Sequence, residues 1–127
     1  MALTTEEAWS LEQLGHTYMS RGKLDEARAL FTGLTALAPQ RPYAWRALGE
    51  VSRLAGDLQR AVSYLQHALK LDQHDAPTRL TLGTLLLKLN QPQQAREVLG
   101  AFNRKPSAQD DAVALRGRAL WQRRFGR

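Results

Sequence analysis

Four glycines, Gly15, Gly49, Gly83 and Gly117, stand 34 residues apart in this chain. Each interrupts a stretch patterned as a helix, where glycine costs about 1 kcal/mol relative to alanine. A cost repeated at a fixed interval implies a repeated reason: a second helix approaches so closely that any side chain would push it away. Other columns keep the same phase. Leu14, Leu48 and Leu82 precede the first three glycines, Gly22, Gly56 and Asn90 fall at turn positions, and Ala27, Ala61 and Ala95 are again 34 apart, as are Phe31, Leu65 and Leu99.

The stretch from Tyr43 to Asp72 shows one unit most clearly. Trp45, Leu48, Gly49 and Ser52 share a helical face, and so do Leu58, Ala61, Leu65, Ala68 and Leu69 after a turn at Ala55-Gly56-Asp57. One such hairpin cannot hide both apolar faces, so the unit requires copies of itself as neighbours.

Local signals predict where the helices begin and end. Thr4 or Thr5 caps the first, with Glu6 and Glu7 in its first turn, and it runs to about Ser20. Asp25 and Glu26 open the second, which ends before Pro39. Pro42 suits the first turn of the third, and Asp75 caps the fifth with Pro77 inside its first turn. Asn90-Gln91-Pro92 starts the sixth. Ser107-x-x-Asp110 reads as a capping box for a last helix over about Ala108 to Arg124, with Val113, Ala114, Leu120 and Trp121 turned inward.

Size predicts one domain, residues 1–127. The chain has no cysteine, which excludes disulfides and thiolate metal sites. Its first residues, MALTTEE, do not form a secretory signal, and the run Leu85-Leu86-Leu87 is far short of a membrane span. A cytoplasmic location is the expectation. The net charge of +6 is uneven: from Arg104 onward seven basic residues stand against Asp110 and Asp111.

Residues able to do chemistry are scattered. His16, His67 and His74 have no third ligand at a zinc-like spacing, and no carboxylate pair shares a face with a histidine base. There is no phosphate-cradling glycine loop and no nucleophile motif. The expectation is a non-enzymatic protein without cofactor or metal.

A 34-residue period of helix–turn–helix units resembles the tetratricopeptide repeat. Its pattern reads here as Leu11, Leu14, Gly15, Tyr18, Ala27, Phe31, Leu34 and Pro39, then as Trp45, Leu48, Gly49, Ser52, Ala61, Leu65 and Ala68. The third copy, Arg79, Leu82, Gly83, Leu86, Ala95, Leu99 and Phe102, is the most degenerate. The resemblance implies an all-α, right-handed α-solenoid with three hairpins, over about residues 8–41, 42–75 and 76–107. A capping helix over about 108–124 completes it.

In that family the first helix of each hairpin lines a concave groove that binds an extended peptide or helix of another protein. Carried over, the groove positions are Trp9, Glu12, His16 and Met19, then Tyr43, Arg46, Glu50 and Arg53. Pro77, Leu80, Thr84 and Leu87 follow, and Asp111, Ala114, Arg118 and Trp121 end the set. Leu80 and Leu87 sit on a helix already supplied with core leucines, which leaves open whether they line the groove or fill the core. The family's two-carboxylate clamp for chaperone tails needs lysine and asparagine where this chain has Glu12 and His16. It also needs asparagine in place of Ala47 and basic residues in place of Pro77 and Thr81, so that clamp is absent.

The order of units also resembles the small bacterial class II chaperones of type III secretion, which hold translocator subunits in the cytoplasm. The chain departs from them in its basic charge and shorter N-terminal helix. Arg116, Arg118, Arg123, Arg124 and Arg127 form a separate basic patch. With Trp121 and Phe125 interleaved, this patch presents an alternative contact for nucleic acid or an acidic surface. The sequence leaves homo-oligomerisation open.

Overall fold

The computed structural model describes residues 2–126, so Arg127 of the basic patch lies outside the described residues. Among the described residues seven α-helices follow one another: α1 Thr5–Ser20, α2 Leu24–Leu37, α3 Pro42–Leu54, α4 Leu58–Leu71, α5 Ala76–Lys88, α6 Pro92–Leu99 and α7 Ala112–Phe125. A 3-10 turn, Gly100–Phe102, extends α6. No strand occurs among the described residues. The chain divides into two compact units, one ending at Asp72 and the other beginning at Gln73.

Within each hairpin the turn is made the same way. Gly22 and Gly56 have φ of +74° and +85°, and Asn90 takes their place in the third hairpin at +58°. This left-handed residue lets the following N–H reach back to the helix. Lys23 donates to Tyr18, Asp57 to Ser52 and Gln91 to Leu86, at 2.8–2.9 Å. Carbonyls left over at each helix end are thereby satisfied. Asparagine serves because its short polar side chain tolerates this conformation.

The helix starts are equally local. Thr4 and Glu7 form a reciprocal capping box on α1. Asp57 caps α4 and Asp75 caps α5. The last helix departs from expectation. Ser107 and Asp110 form a turn of their own, and α7 begins at Ala112 with Asp111 accepting from the Ala114 N–H at 2.8 Å. Asp110 is drawn away by Arg104 and Arg118, so it serves as an ionic anchor instead of a helix cap.

In the first unit, Ala27, Phe31 and Leu34 of α2 interlock with Ala44, Ala47, Leu48 and Val51 of α3. Leu11, Tyr18, Met19 and Tyr43 close around them. In the second, Leu82, Leu85, Leu86, Ala95, Leu99, Phe102, Ala114 and Trp121 are buried. Each fully buried leucine among these contributes roughly 1.5–3 kcal/mol. The periodic glycines lie at the helix crossings. A Cβ at Gly49 would come within 2.8 Å of Leu65. At Gly15 and Gly83 it would collide more closely still, with Phe31 and Leu99. Gly117 has no following hairpin helix, and Phe102 of the 3-10 turn occupies that space instead.

Candidate functional site

The second unit contains an open cleft of about 420 Å³ between α5 and α7. Thr84, Leu87 and Lys88 line one side and Leu120, Arg123 and Arg124 the other. α5 places its residues by periodicity. Leu82, Leu85 and Leu86 point into the core, which leaves Thr84 exposed and Leu87 half-buried on the opposite side. The Thr84 hydroxyl donates to the Leu80 carbonyl at 2.8 Å and stays within its own helix. Leu80 is also half-buried but does not line this cleft.

On α7 the buried face is Ala114, Gly117 and Trp121, so Leu120, Arg123 and Arg124 turn toward the cleft. Lys88 lies in the last turn of α5, and Arg123 and Arg124 in the last turn of α7. No ion pair engages any of these three cations among the described residues. The result is an aliphatic floor with cationic walls.

Trp121 carries two sequence expectations: its burial agrees with the inward one and contradicts the groove one. It is 7% exposed, its ring lies 4.9 Å from that of Phe125, and Arg96 of α6 covers both rings at 5.3 and 5.5 Å. It is a packing residue of α7 and offers no free face to a groove or a nucleic-acid base. The basic patch shrinks as well. Arg118 is mostly buried and bound to Asp110 at 2.9 Å, while Arg104 holds the other carboxylate oxygen at 2.6 Å. These bonds and the Ser107 backbone N–H hold the Asp110 carboxyl well below its ordinary value. Arg116 remains exposed on the helix surface.

The expected groove residues of the first unit lie on α1 and α3. Trp9 is 60% exposed and His16 is exposed, whereas Met19 is half-buried against the core. Glu12 is a second correction. It is 4% exposed, and Arg41 grips both carboxylate oxygens at 2.8 and 2.9 Å, so its charge is spent inside the unit. The same bond raises the Arg41 guanidinium above its ordinary value. Tyr43 is half-buried beside Phe31, with Arg46 over its ring at 5.3 Å, and burial raises its phenol. Glu50 and Arg53 pair with each other along α3, which raises the Arg53 guanidinium.

No three His, Cys, Asp or Glu side chains are grouped to hold a metal ion among the described residues. Among them also, no helix is long and apolar enough to cross a membrane. The His67 ring packs at a tilt against Trp45, with the ring centroids 4.0 Å apart.

Two sequence profiles described as tetratricopeptide repeat match residues 12–76 and 53–119, each just over half of the chain. The chain belongs to the tetratricopeptide repeat family. No curated protein matches this repeat protein by sequence. Among solved structures it is similar to the Yersinia enterocolitica type III secretion chaperone SycD in complex with a peptide of the translocator YopD. That match has a TM-score of 0.78 at 16% identity, over 94% of this chain and 93% of that one. PcrH, in complex with the chaperone binding region of PopB, matches with a TM-score of 0.74 at 20% identity, over 93% and 97% of the two chains. The second tetratricopeptide domain of Spaghetti (RPAP3), bound to an HSP90 peptide, covers 73% of this chain and 86% of that one. Its TM-score is 0.68 at 17% identity. These likenesses show the fold: an all-α array of tetratricopeptide hairpins.

The repeat frame also explains what sequence reading missed. Lys88 lies one turn beyond Thr84 on the same helix, and following that face one turn further would have found it. Leu120, which the sequence turns inward under the third hairpin, is half-buried and lines the cleft instead. Its place at the cleft depends on how α7 rotates to bury Trp121.

Proposed function

We propose that this protein is a non-catalytic binding module that holds an extended segment of a partner protein, with α5 at the centre of the contact. The observation that carries this is Leu87. It is an aliphatic side chain left half-exposed on a helix whose core positions are already filled, and it faces Leu120 across an open cleft. Similar folds seated on peptides support the class of ligand. The finer reading is a chaperone that shields an apolar segment of a secreted subunit. It is supported by the near end-to-end match to the secretion chaperone SycD and to PcrH held on the chaperone binding region of PopB.

The nucleic-acid alternative loses its stacking support, because Trp121 is buried and packs at a tilt against Phe125. The test of peptide binding is the pair Leu80→Glu and Leu87→Glu, compared with wild type against the same peptide. Losing half a leucine's burial at two sites weakens affinity about tenfold or more. Circular dichroism and melting stay near wild type if these leucines form the surface. A folded double variant that binds as well as wild type would refute the reading.

A further inference from the structure

We infer that the α5–α7 cleft selects an acidic segment: an apolar side chain seated on Leu87 and Leu120, flanked by carboxylates that meet Lys88, Arg123 and Arg124. The inference rests on the peptide-binding reading and adds the chemistry of the ligand.

Charge complementarity carries the argument. Two helices end at this cleft, and each C-terminus contributes roughly half a negative charge. The three cations outweigh the two helix ends and leave the rim near +2, by roughly that same measure. Three half-buried arginines elsewhere are neutralised internally: Arg41 on Glu12, Arg53 on Glu50 and Arg118 on Asp110. Lys88, Arg123 and Arg124 have no such acid among the described residues. The aliphatic floor excludes a purely electrostatic ligand, because burying Leu87 and Leu120 rewards an apolar group. Among the described residues, the two rings beside the cations, Trp121 and Phe125, pack on each other under Arg96, which disfavours stacked bases. An acidic peptide with one apolar anchor satisfies both demands.

The experiment measures fluorescence anisotropy of three labelled peptides with the full chain. Each carries one leucine flanked by glutamates, glutamines or lysines. Wild type binds the glutamate peptide about tenfold more tightly than the glutamine peptide, and the difference shrinks as salt is raised. K88Q/R123Q/R124Q removes the preference without changing the circular dichroism spectrum. K88E/R123E/R124E reverses it in favour of the lysine peptide. Equal affinity for the glutamate and glutamine peptides, with both lost on Leu87→Gln, overturns the acidic preference and leaves peptide binding standing. Failure of all three peptides to bind overturns both readings. A single-stranded oligonucleotide that binds more tightly than the glutamate peptide and displaces it overturns the inference in favour of nucleic acid.

Discussion

The second and third hairpins hold the same architecture with different chemistry. In α3, Trp45 donates its indole N–H to the Pro39 carbonyl, six residues back, at 2.9 Å. In α5, the residue in the same column is Arg79, and its guanidinium donates to the Gln73 carbonyl, also six residues back, at 2.9 Å. Arg79 also reaches the Val98 carbonyl on α6 at 3.0 Å. The repeat therefore preserves a tether between the loop and the helix rather than a residue type. The Trp45 indole also packs at a tilt against His67, whereas Arg79 exchanges that aromatic contact for a second hydrogen bond. The third copy is degenerate in sequence without losing this contact.

The units also differ in how they end. In the first, two hairpins cover each other. In the second, one hairpin is completed by a 3-10 turn and a single helix, with Phe102 against Gly117 and Asp110 pinned between Arg104 and Arg118. The comparison breaks most visibly if α7 is removed. Deleting residues 108–127 uncovers Phe102, and the truncated chain aggregates or loses helicity by circular dichroism and gel filtration. A soluble, fully helical truncation would mean the second unit closes without α7.

Next in size are the helix crossings. Gly49→Leu and Gly83→Leu each destabilise by about 1–3 kcal/mol, the range typical of overpacking. Gly83 is the worse site, because the intruding carbon meets Leu99 more closely than it meets Leu65 at Gly49. Thermal melts of the two variants rank them, and an unchanged melt for either would reject the shared packing role.

The tether comparison predicts a smaller difference. Arg79→Ala leaves two carbonyls without their donor and costs about 1–3 kcal/mol, whereas Trp45→Phe removes one hydrogen bond and costs about 0.5–1.5 kcal/mol. Arg79→Trp restores the Gln73 bond alone and falls between Arg79→Ala and wild type in denaturant titrations. Equal stabilities of Arg79→Ala and Arg79→Trp would show that the two tethers are not equivalent.

The gentlest test is acid. The Asp110 carboxyl is depressed in the folded chain, so its contribution is complete above the ordinary carboxyl value of 3.8. It is lost progressively as pH falls from there toward the folded value. Amides of α7 therefore lose exchange protection in that acid range, and Asp110→Asn shows the loss already at neutral pH. An Asp110→Asn chain with wild-type protection in α7 would remove the anchor from the comparison.

Most of what repeats was legible from the residues. Helix ends follow from caps and left-handed turns that involve neighbours in sequence. The close crossings follow from glycines facing Phe31, Leu65 and Leu99, each sixteen residues on within one hairpin. Ser107 misled because a capping box is a local motif, whereas Asp110 answers to Arg118 on the next helix. Glu12 misled in the same way: the repeat register turns it toward a ligand, but Arg41, 29 residues along the chain, captures it.

The sequence by itself determined the hairpins, their turns and their spacing, because those depend on backbone preference and periodic burial over a few residues. Only the tertiary structure decided which charges remain free and which aromatics are spent. Lys88 stands 35 residues before Arg123, and no local rule brings their helix ends to one cleft. That meeting, and the burial of Trp121 that turns Leu120 toward Leu87, follow from how α7 settles on α5 and α6, where distant side chains compete for the same space.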